Sequence, residues 1–398
     1  VARYDAVVVG SGPNGLAAAI TLARAGRSVL VVEGQPTIGG AVRSGALTLP
    51  GFVHDLGSAV HPFAVGSPFF RRLPLDEHGL HWVHPEAPLA HPLDDGTVAI
   101  LERSLRTTAA GLGVDGAPYL RLMGPVVRDW DQIVPAILGP LRLPRHPVSV
   151  ARFGTRAVWP AGPLAMFLFR TPGARALLGG LSAHACLPLE SPPTAAVGLV
   201  LAALAHRVGW PFPKGGAQAL SDAMASYLRR LGGEIVVDHS VEDLDQLPVA
   251  RVILCDTAPR DLARLAARRF PERYLRALRA FRHGPGVFKL DWALSGPIPW
   301  TAQGCKRAGT VHLGGTLGEI AAAERASWRG EVSERPYVLL GQPTLFDPSR
   351  APAGAQVAWA YCHVPRGSAV DMTQRIEAMV ERFAPGFQAL ILARHVMA

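Results

Sequence analysis

The sequence predicts an α/β protein: a Rossmann-like, parallel-stranded unit interleaved with a second, mixed α+β unit. Three consecutive stretches carry that prediction. Ala6 to Val9 is a short apolar run suited to a buried parallel strand, and it leads directly into Gly10-Ser11-Gly12-Pro13-Asn14-Gly15. Leu16 to Ala25 is helix-forming and stops at Gly26. Ser28 to Val32 gives a second apolar strand ending on an acid, Glu33. Strand, glycine turn, helix and strand in this order form the nucleotide-binding half of a doubly wound sheet.

Each residue type in the unit has a physical role. Gly10 permits the tight turn, Gly12 lets backbone approach a pyrophosphate, and Gly15 lets the helix lie close to the strand. The amides exposed at the helix start, in Ser11 to Asn14, favour an anion there. Glu33 lies 18 positions past Gly15, where a carboxylate accepts bonds from both ribose hydroxyls and repels a 2′-phosphate. The loop alone serves NAD or FAD. The next turn separates them: Gly39-Gly40 gives a second close approach of backbone, and Arg43 a cation for phosphates or ring.

With these residues the sequence resembles the two-dinucleotide-binding-domain flavoproteins. Within that group Gly51-Phe52-Val53-His54-Asp55-Leu56-Gly57 is similar to the GFxxDxG segment of the phytoene desaturase-like FAD-dependent oxidoreductases. The resemblance implies FAD, held by Gly10, Ser11, Gly12, Pro13, Asn14, Gly15, Glu33, Gly34, Gly39, Gly40, Arg43 and Gly57. It further implies that Val241 presents its backbone to the adenine, and that hydride leaves a substrate carbon for the flavin, making a double bond. Two departures argue against phytoene itself. Ser58-Ala59 follow Gly57 where those desaturases carry a Gly-Pro step, and His54 replaces an aromatic or aliphatic residue. A smaller or differently shaped apolar substrate is expected: a lipid, an isoprenoid or an amine. A flavin-dependent isomerase or saturase, and a flavin-binding protein without turnover, stay open beside the desaturase.

Composition agrees with a globular enzyme. At 398 residues, with 49% hydrophobic and 18% charged, the chain can bury a large core split over two domains. The net charge of +9 is carried almost wholly by Arg; it fits an anionic partner or merely a genome's codon bias, and nothing marks a nucleic-acid partner. Cys186, Cys255, Cys305 and Cys362 form no CxxC, so neither a disulfide relay nor a zinc site is signalled. With the first strand starting near residue 5, no room is left for a secretory signal, and the cytoplasm is the expected compartment. No apolar run reaches the roughly 20 residues that span a bilayer.

The rest of the chain divides as follows. The FAD-binding domain is expected over 1–70 and 206–265, the substrate domain over 71–205 and 266–398. The Pro- and His-rich stretch from His61 to Pro92 matches no metal-ligand spacing and is read as loops and strands. Residues 117–210 read as helical, with helices at Pro118 to Val134 and Pro193 to Val208 and with Pro135, Pro140, Pro144 and Pro147 as breaks. There Arg142, Arg145, Arg152, Arg156 and Arg170 alternate with Phe153, Trp159, Phe167 and Phe169: a peripheral membrane face, a pocket rim, or plain core. Lys214-Gly215-Gly216 opens a helix to Leu231, followed by strands at Glu234 to Val237 and Arg251 to Leu254, which is similar to the family's return into its FAD domain. Leu262 to Phe281 reads as an amphipathic surface helix pair. Val287 to Leu294 alternates like a half-buried strand with Lys289 and Asp291 on one face, either as a sheet-face ion pair or with Lys289 held near a flavin to orient water or an anion.

Gly309 to Ala323 imitates a second nucleotide loop, but its glycines lack the i, i+2, i+5 spacing, and a turn with a capped helix is expected. His61 and Lys289 are the candidate catalytic residues, each titratable and each beside a segment expected to face the flavin ring. The family's last segment, a glycine-rich turn and helix against pyrophosphate and flavin, is not found before Ala398, so the sequence is expected to be a fragment. Oligomeric state is not legible.

Overall fold

A computed structural model describes residues 3–140 and 142–397. The nucleotide-binding unit forms as its sequence requires. Strand β1 (Tyr4–Val9) and strand β2 (Val29–Val32) flank helix α1 (Pro13–Arg24), and Ala6, Val7, Val8 and Val31 are wholly buried. Helix α1 turns Leu16, Ala19, Ile20 and Ala23 onto the sheet, a spacing of three and four that puts them on one face. Both strands pair in parallel, and two later strands extend the sheet: Ala250–Cys255 beside β1 and Glu234–Val236 beside β2. The fold is thus mixed α/β with a Rossmann-like sheet of four parallel strands.

A second, seven-stranded sheet is built from Ala87–Pro92 and Val98–Leu101 together with five strands between Gly286 and Met397. The chain therefore leaves the first sheet, starts the second, returns, and finishes in the second. Between the two passes lies an apolar helical layer whose core includes Leu122, Met123, Ile133, Leu177 and Leu199. No described helix is long and apolar enough to cross a membrane.

Several expectations need correction. The helix read over Pro118 to Val134 is two helices, Gly116–Arg128 and Trp130–Ile137, and Pro125 and Pro135 lie inside them. A proline removes one helical hydrogen bond, and here the buried Val126, Ile133 and Val134 hold each helix across it. The four aromatics of the arginine-rich stretch divide. Phe153 and Phe169 are core, whereas Trp159 and Phe167 stack on each other at 6.2 Å on the surface. The strand Gly286–Leu294 is buried on both faces from Phe288 onward. It is central, paired with Gln356–Val364 on one side and Ile391–Met397 on the other, and Phe52 packs with Ala293 on the face that carries Lys289 and Asp291. The Gly309 to Ala323 stretch, by contrast, is as expected: a strand, a turn and a helix whose start is capped by a Thr316–Glu319 capping box.

Candidate functional site

The glycine loop crosses the carboxyl ends of β1 and β2. Gly10 has φ +99°, a region L side chains avoid, and a Cβ on Gly15 would stand 2.2 Å from the Gly10 carbonyl oxygen. Gly12 is constrained by a residue the sequence did not single out: its Cβ would meet Asp256 Oδ2 at 2.8 Å. Asp256 follows the Ala250–Cys255 strand, and Oδ2 accepts the Gly15 N–H at 2.9 Å, fastening the first turn of α1. No side chain caps α1 at Gly12, Pro13 has no N–H to offer, and Asn14 is exposed. At the helix start, then, Asp256 takes the Gly15 N–H and Asn14 stays exposed.

Glu33 ends β2 nearly buried, and Ser11 sets its orientation. Glu33 Oε2 accepts Ser11 N–H at 2.9 Å and Ser11 Oγ–H at 2.6 Å, while Oε1 accepts Gln35 N–H at 2.9 Å. Burial raises the carboxyl pKa, but the Ser11 and Gln35 hydrogen bonds and the Arg43 charge outweigh it and hold the group below the usual range. Ser11 Oγ also accepts Gly39 N–H at 3.1 Å, tying the first loop to the second. At the second loop a Cβ on Gly40 would lie 3.1 Å from Gly12 Cα. Arg43 is half-exposed, its Nε donating to the Gly40 carbonyl at 2.8 Å. Gly57 packs so closely that a Cβ would meet the Ala41 carbonyl oxygen at 2.6 Å, and Ser58 N–H donates to the same oxygen. Gly34 is exposed, and a Cβ there would touch Ser240, while the neighbouring Val241 is buried in an apolar cluster with Val9 and Val32. Asn14, Gly34, Gly40, Ala41, Gly57 and Ser58 are all exposed.

Gly57 and Ser58 open on a cavity of about 240 Å³, lined further by Phe63, Leu201, Trp210, Leu339, Trp359 and Tyr361. Lys289 is the one charged side chain on its wall. Its Nζ donates to the Asp55 carbonyl at 2.9 Å and to both oxygens of Asp291, all three groups being buried. The two candidate catalytic residues therefore part company. Lys289 lines the cavity. His61 does not: it precedes the short helix Pro62–Gly66, its ring lies 6.1 Å from Trp82, and burial lowers its pKa to about 4. Beneath Lys289, Asp291 is 3.7 Å from His54 Nδ1, and His54 Nε2 is 2.7 Å from Thr48 Oγ1. No group of metal-ligating residues is found among the described residues.

A buried charge network braces the site from behind. Arg350 is fully buried, with Nη1 on Asp55 Oδ2 at 2.6 Å, Nε on Asp347 Oδ2 at 3.1 Å and Nη2 on the Pro213 carbonyl at 2.7 Å. Asp55 Oδ1 takes Ser44 Oγ–H and Ala217 N–H at 2.7 Å each. Four distant parts of the chain thus meet at Asp55. The GFxxDxG segment signalled Asp55, but nothing in the sequence around Arg350 and Asp347 did.

Comparison with known proteins agrees with this geometry. Residues 8–73 match the NAD(P)-binding Rossmann-like domain family. Over 99% of its length the chain is 26% identical to the rat pyridine nucleotide-disulfide oxidoreductase domain-containing protein 2, covering 81% of that protein. A 112-residue stretch, 28% of this chain and 20% of its counterpart, is 31% identical to a component of the limonene dehydrogenase of Castellaniella defragrans. Among solved structures, putrescine oxidase bound to putrescine superposes with a TM-score of 0.60 at 18% identity, covering 99% of this chain and 84% of that one. Sequence motif, sheet order and structural likeness agree on a Rossmann-like nucleotide-binding domain within a fold shared with flavin-type oxidoreductases.

Proposed function

We propose that this chain is an FAD-dependent oxidoreductase of the phytoene desaturase-like kind, taking hydride from an apolar substrate of lipid, isoprenoid or carotenoid-like character and leaving a double bond. The observation that carries the reading is the set of exposed residues Asn14, Gly34, Gly40, Ala41, Gly57 and Ser58 on the glycine loops beside Glu33, with Gly57 and Ser58 lining a cavity walled by apolar side chains and Lys289. Gly40 and Gly57 let these loops pack closely, since a side chain on either would run into the neighbouring loop. An elongated dinucleotide fits such a cradle, and when bound a flavin supplies the hydride acceptor. Gly10 to Gly15 would hold the pyrophosphate, Glu33 the ribose, Val241 the adenine, and Gly39, Gly40, Arg43 and Gly57 the remainder.

The chain's own residues then have defined tasks. Apolar walls bind the substrate and exclude water, and Lys289, fixed by Asp55 and Asp291, keeps its ammonium at one point of the wall. The name of the limonene dehydrogenase relative supports an apolar isoprenoid. Trp359 and Tyr361 stack at 6.2 Å on the same wall; with the putrescine oxidase likeness they favour an amine as the second reading. Anaerobic bleaching of the flavin by a monoterpene but not by an amine separates the two.

Glu33→Ala tests the cofactor half of the reading. Losing the carboxylate removes charge-assisted hydrogen bonds to the ribose, so FAD retention on dialysis is expected to weaken on the order of ten-fold or more. Unchanged occupancy, read as the ratio of visible to ultraviolet absorbance, contradicts the assignment.

A further inference from the structure

Outside the glycine loops, three side chains that no sequence pattern connects are brought together. Cys186 Sγ lies 3.3 Å from His363 Nε2, and His363 Nδ1 lies 2.8 Å from Glu324 Oε2 and 2.9 Å from Oε1. The cysteine follows the helix Pro172–Ala183, the histidine is on the strand Gln356–Val364, and the glutamate is on the helix Leu317–Arg329. Glu324 and His363 are buried, while Cys186 is half-exposed. A nucleophile, a base within hydrogen-bond reach, and an acid that orients the base form the arrangement by which a thiol is activated. Cys186 also sits at φ +53°, a backbone region that glycine or asparagine usually occupies.

We infer that Cys186, His363 and Glu324 form a nucleophilic cysteine site, beside the apolar cavity and outside the glycine loops, that takes a soft carbon electrophile of the α,β-unsaturated carbonyl class. The reaction balances without any oxidant. The Cys186 thiolate bonds to the β-carbon, the carbon–carbon π pair moves toward the carbonyl, and the proton on His363 Nε2 passes to the α-carbon. A thioether and a neutral imidazole result. Glu324 is a positioning residue that fixes the ring and stabilises its charge.

The surroundings favour this charge state and this ligand. Burial opposes protonation of His363, but hydrogen bonding to Cys186 and Glu324 overrides it and raises the imidazole to about 10. The other titratable groups facing the pair are His184, Tyr361 and Tyr337, and none brings a competing positive charge. Burial lowers His184 to about 3, so it is neutral, and the phenols of Tyr361 and Tyr337 are pushed up, chiefly by burial. Cys186 packs on a residue that lines the apolar cavity, its thiol 3.8 Å from the His184 carbonyl, and Tyr361, two positions before His363, lines the same cavity. An apolar conjugated carbonyl compound matches that neighbourhood.

The test treats the full chain with limiting iodoacetamide between about pH 5.5 and about pH 9 and maps the labelled cysteines by peptide mass spectrometry. Cys255, also half-exposed but with its thiol pushed up by burial, serves as the slow internal reference, and the pH profile of Cys186 itself decides the outcome. At about pH 6, Cys186 is expected to label about ten-fold faster than Cys255, with a rate nearly flat up to about pH 8. With 2-cyclohexenone, one thioether adduct is expected, at Cys186. His363→Gln should abolish the low-pH labelling and give an ordinary thiol profile, and Glu324→Gln should move the profile the same way by less. A wild-type Cys186 that labels no faster than Cys255 at about pH 6, or that follows a titration near the usual value of about 8.5, overturns the proposal whether or not the variants fold.

Discussion

Arg350→Met is expected to destabilise the protein by about 3–5 kcal/mol, the cost of breaking a buried ion pair by removing one partner. The guanidinium is fully buried between Asp55 and Asp347, and its loss strands both carboxylates without a counterion. It also leaves the Pro213 carbonyl without its donor and removes the cation 5.2 Å from the Phe212 ring. Urea unfolding followed by circular dichroism measures the effect, and a loss below about 1 kcal/mol would mean that the network contributes no more than a surface pair. The acid limb should change as well. Burial raises the Asp347 carboxyl, but hydrogen bonds from Ser349, Gly215 and Arg350 outweigh it and hold the group below its ordinary value. A depressed carboxylate adds stability above its unfolded pKa, about 3.9, and loses it as pH falls through the folded value. Without Arg350 part of that depression goes, so the variant should have less of this stability to lose in acid and start from a lower plateau.

Lys289→Met is expected to slow reduction of the bound flavin by substrate on the order of 100-fold while FAD content stays near that of the wild type. Lys289 is the one charged side chain on the cavity wall and is held in place by Asp55 and Asp291, so its charge acts there from a fixed point. Removing it leaves Asp291 buried without its cation. Burial already raises the Asp291 carboxyl, against the pull of Lys289, so pairing the change with Asp291→Asn separates the loss of rate from the loss of stability. Anaerobic stopped-flow bleaching is the measurement, and an unchanged rate with normal FAD content removes Lys289 from the chemistry.

Local patterning made the nucleotide-binding half legible and left the cavity hidden. Gly10, Gly12, Gly15 and Glu33 could be placed because their positions follow from spacing within one strand-turn-helix unit, and the later strands at Glu234 and Ala250 had turn signals around them. The role read for Gly12 was incomplete, because the atom that would crowd its Cβ belongs to Asp256, 244 positions away. The alternation of the Gly286–Leu294 strand put Lys289 and Asp291 on one face, where they pair; what it did not show is that this face is buried too, with Phe52 packed on Ala293. Nor could periodicity place His61, whose ring turns to Trp82 instead of the cavity. Arg350 with Asp55, and Cys186 with His363, join positions 295 and 177 residues apart, and only the interleaving of the two sheets brings them together.

The central claim is that the amino-terminal unit holds a flavin with Glu33 on its ribose. The most direct measurement is the visible spectrum of the purified protein before and after incubation with FAD, followed by release and identification of the bound nucleotide. The structure predicts a yellow protein, or one that becomes yellow on reconstitution, with FAD released in near-stoichiometric amount. A protein that stays colourless and takes up no FAD contradicts it.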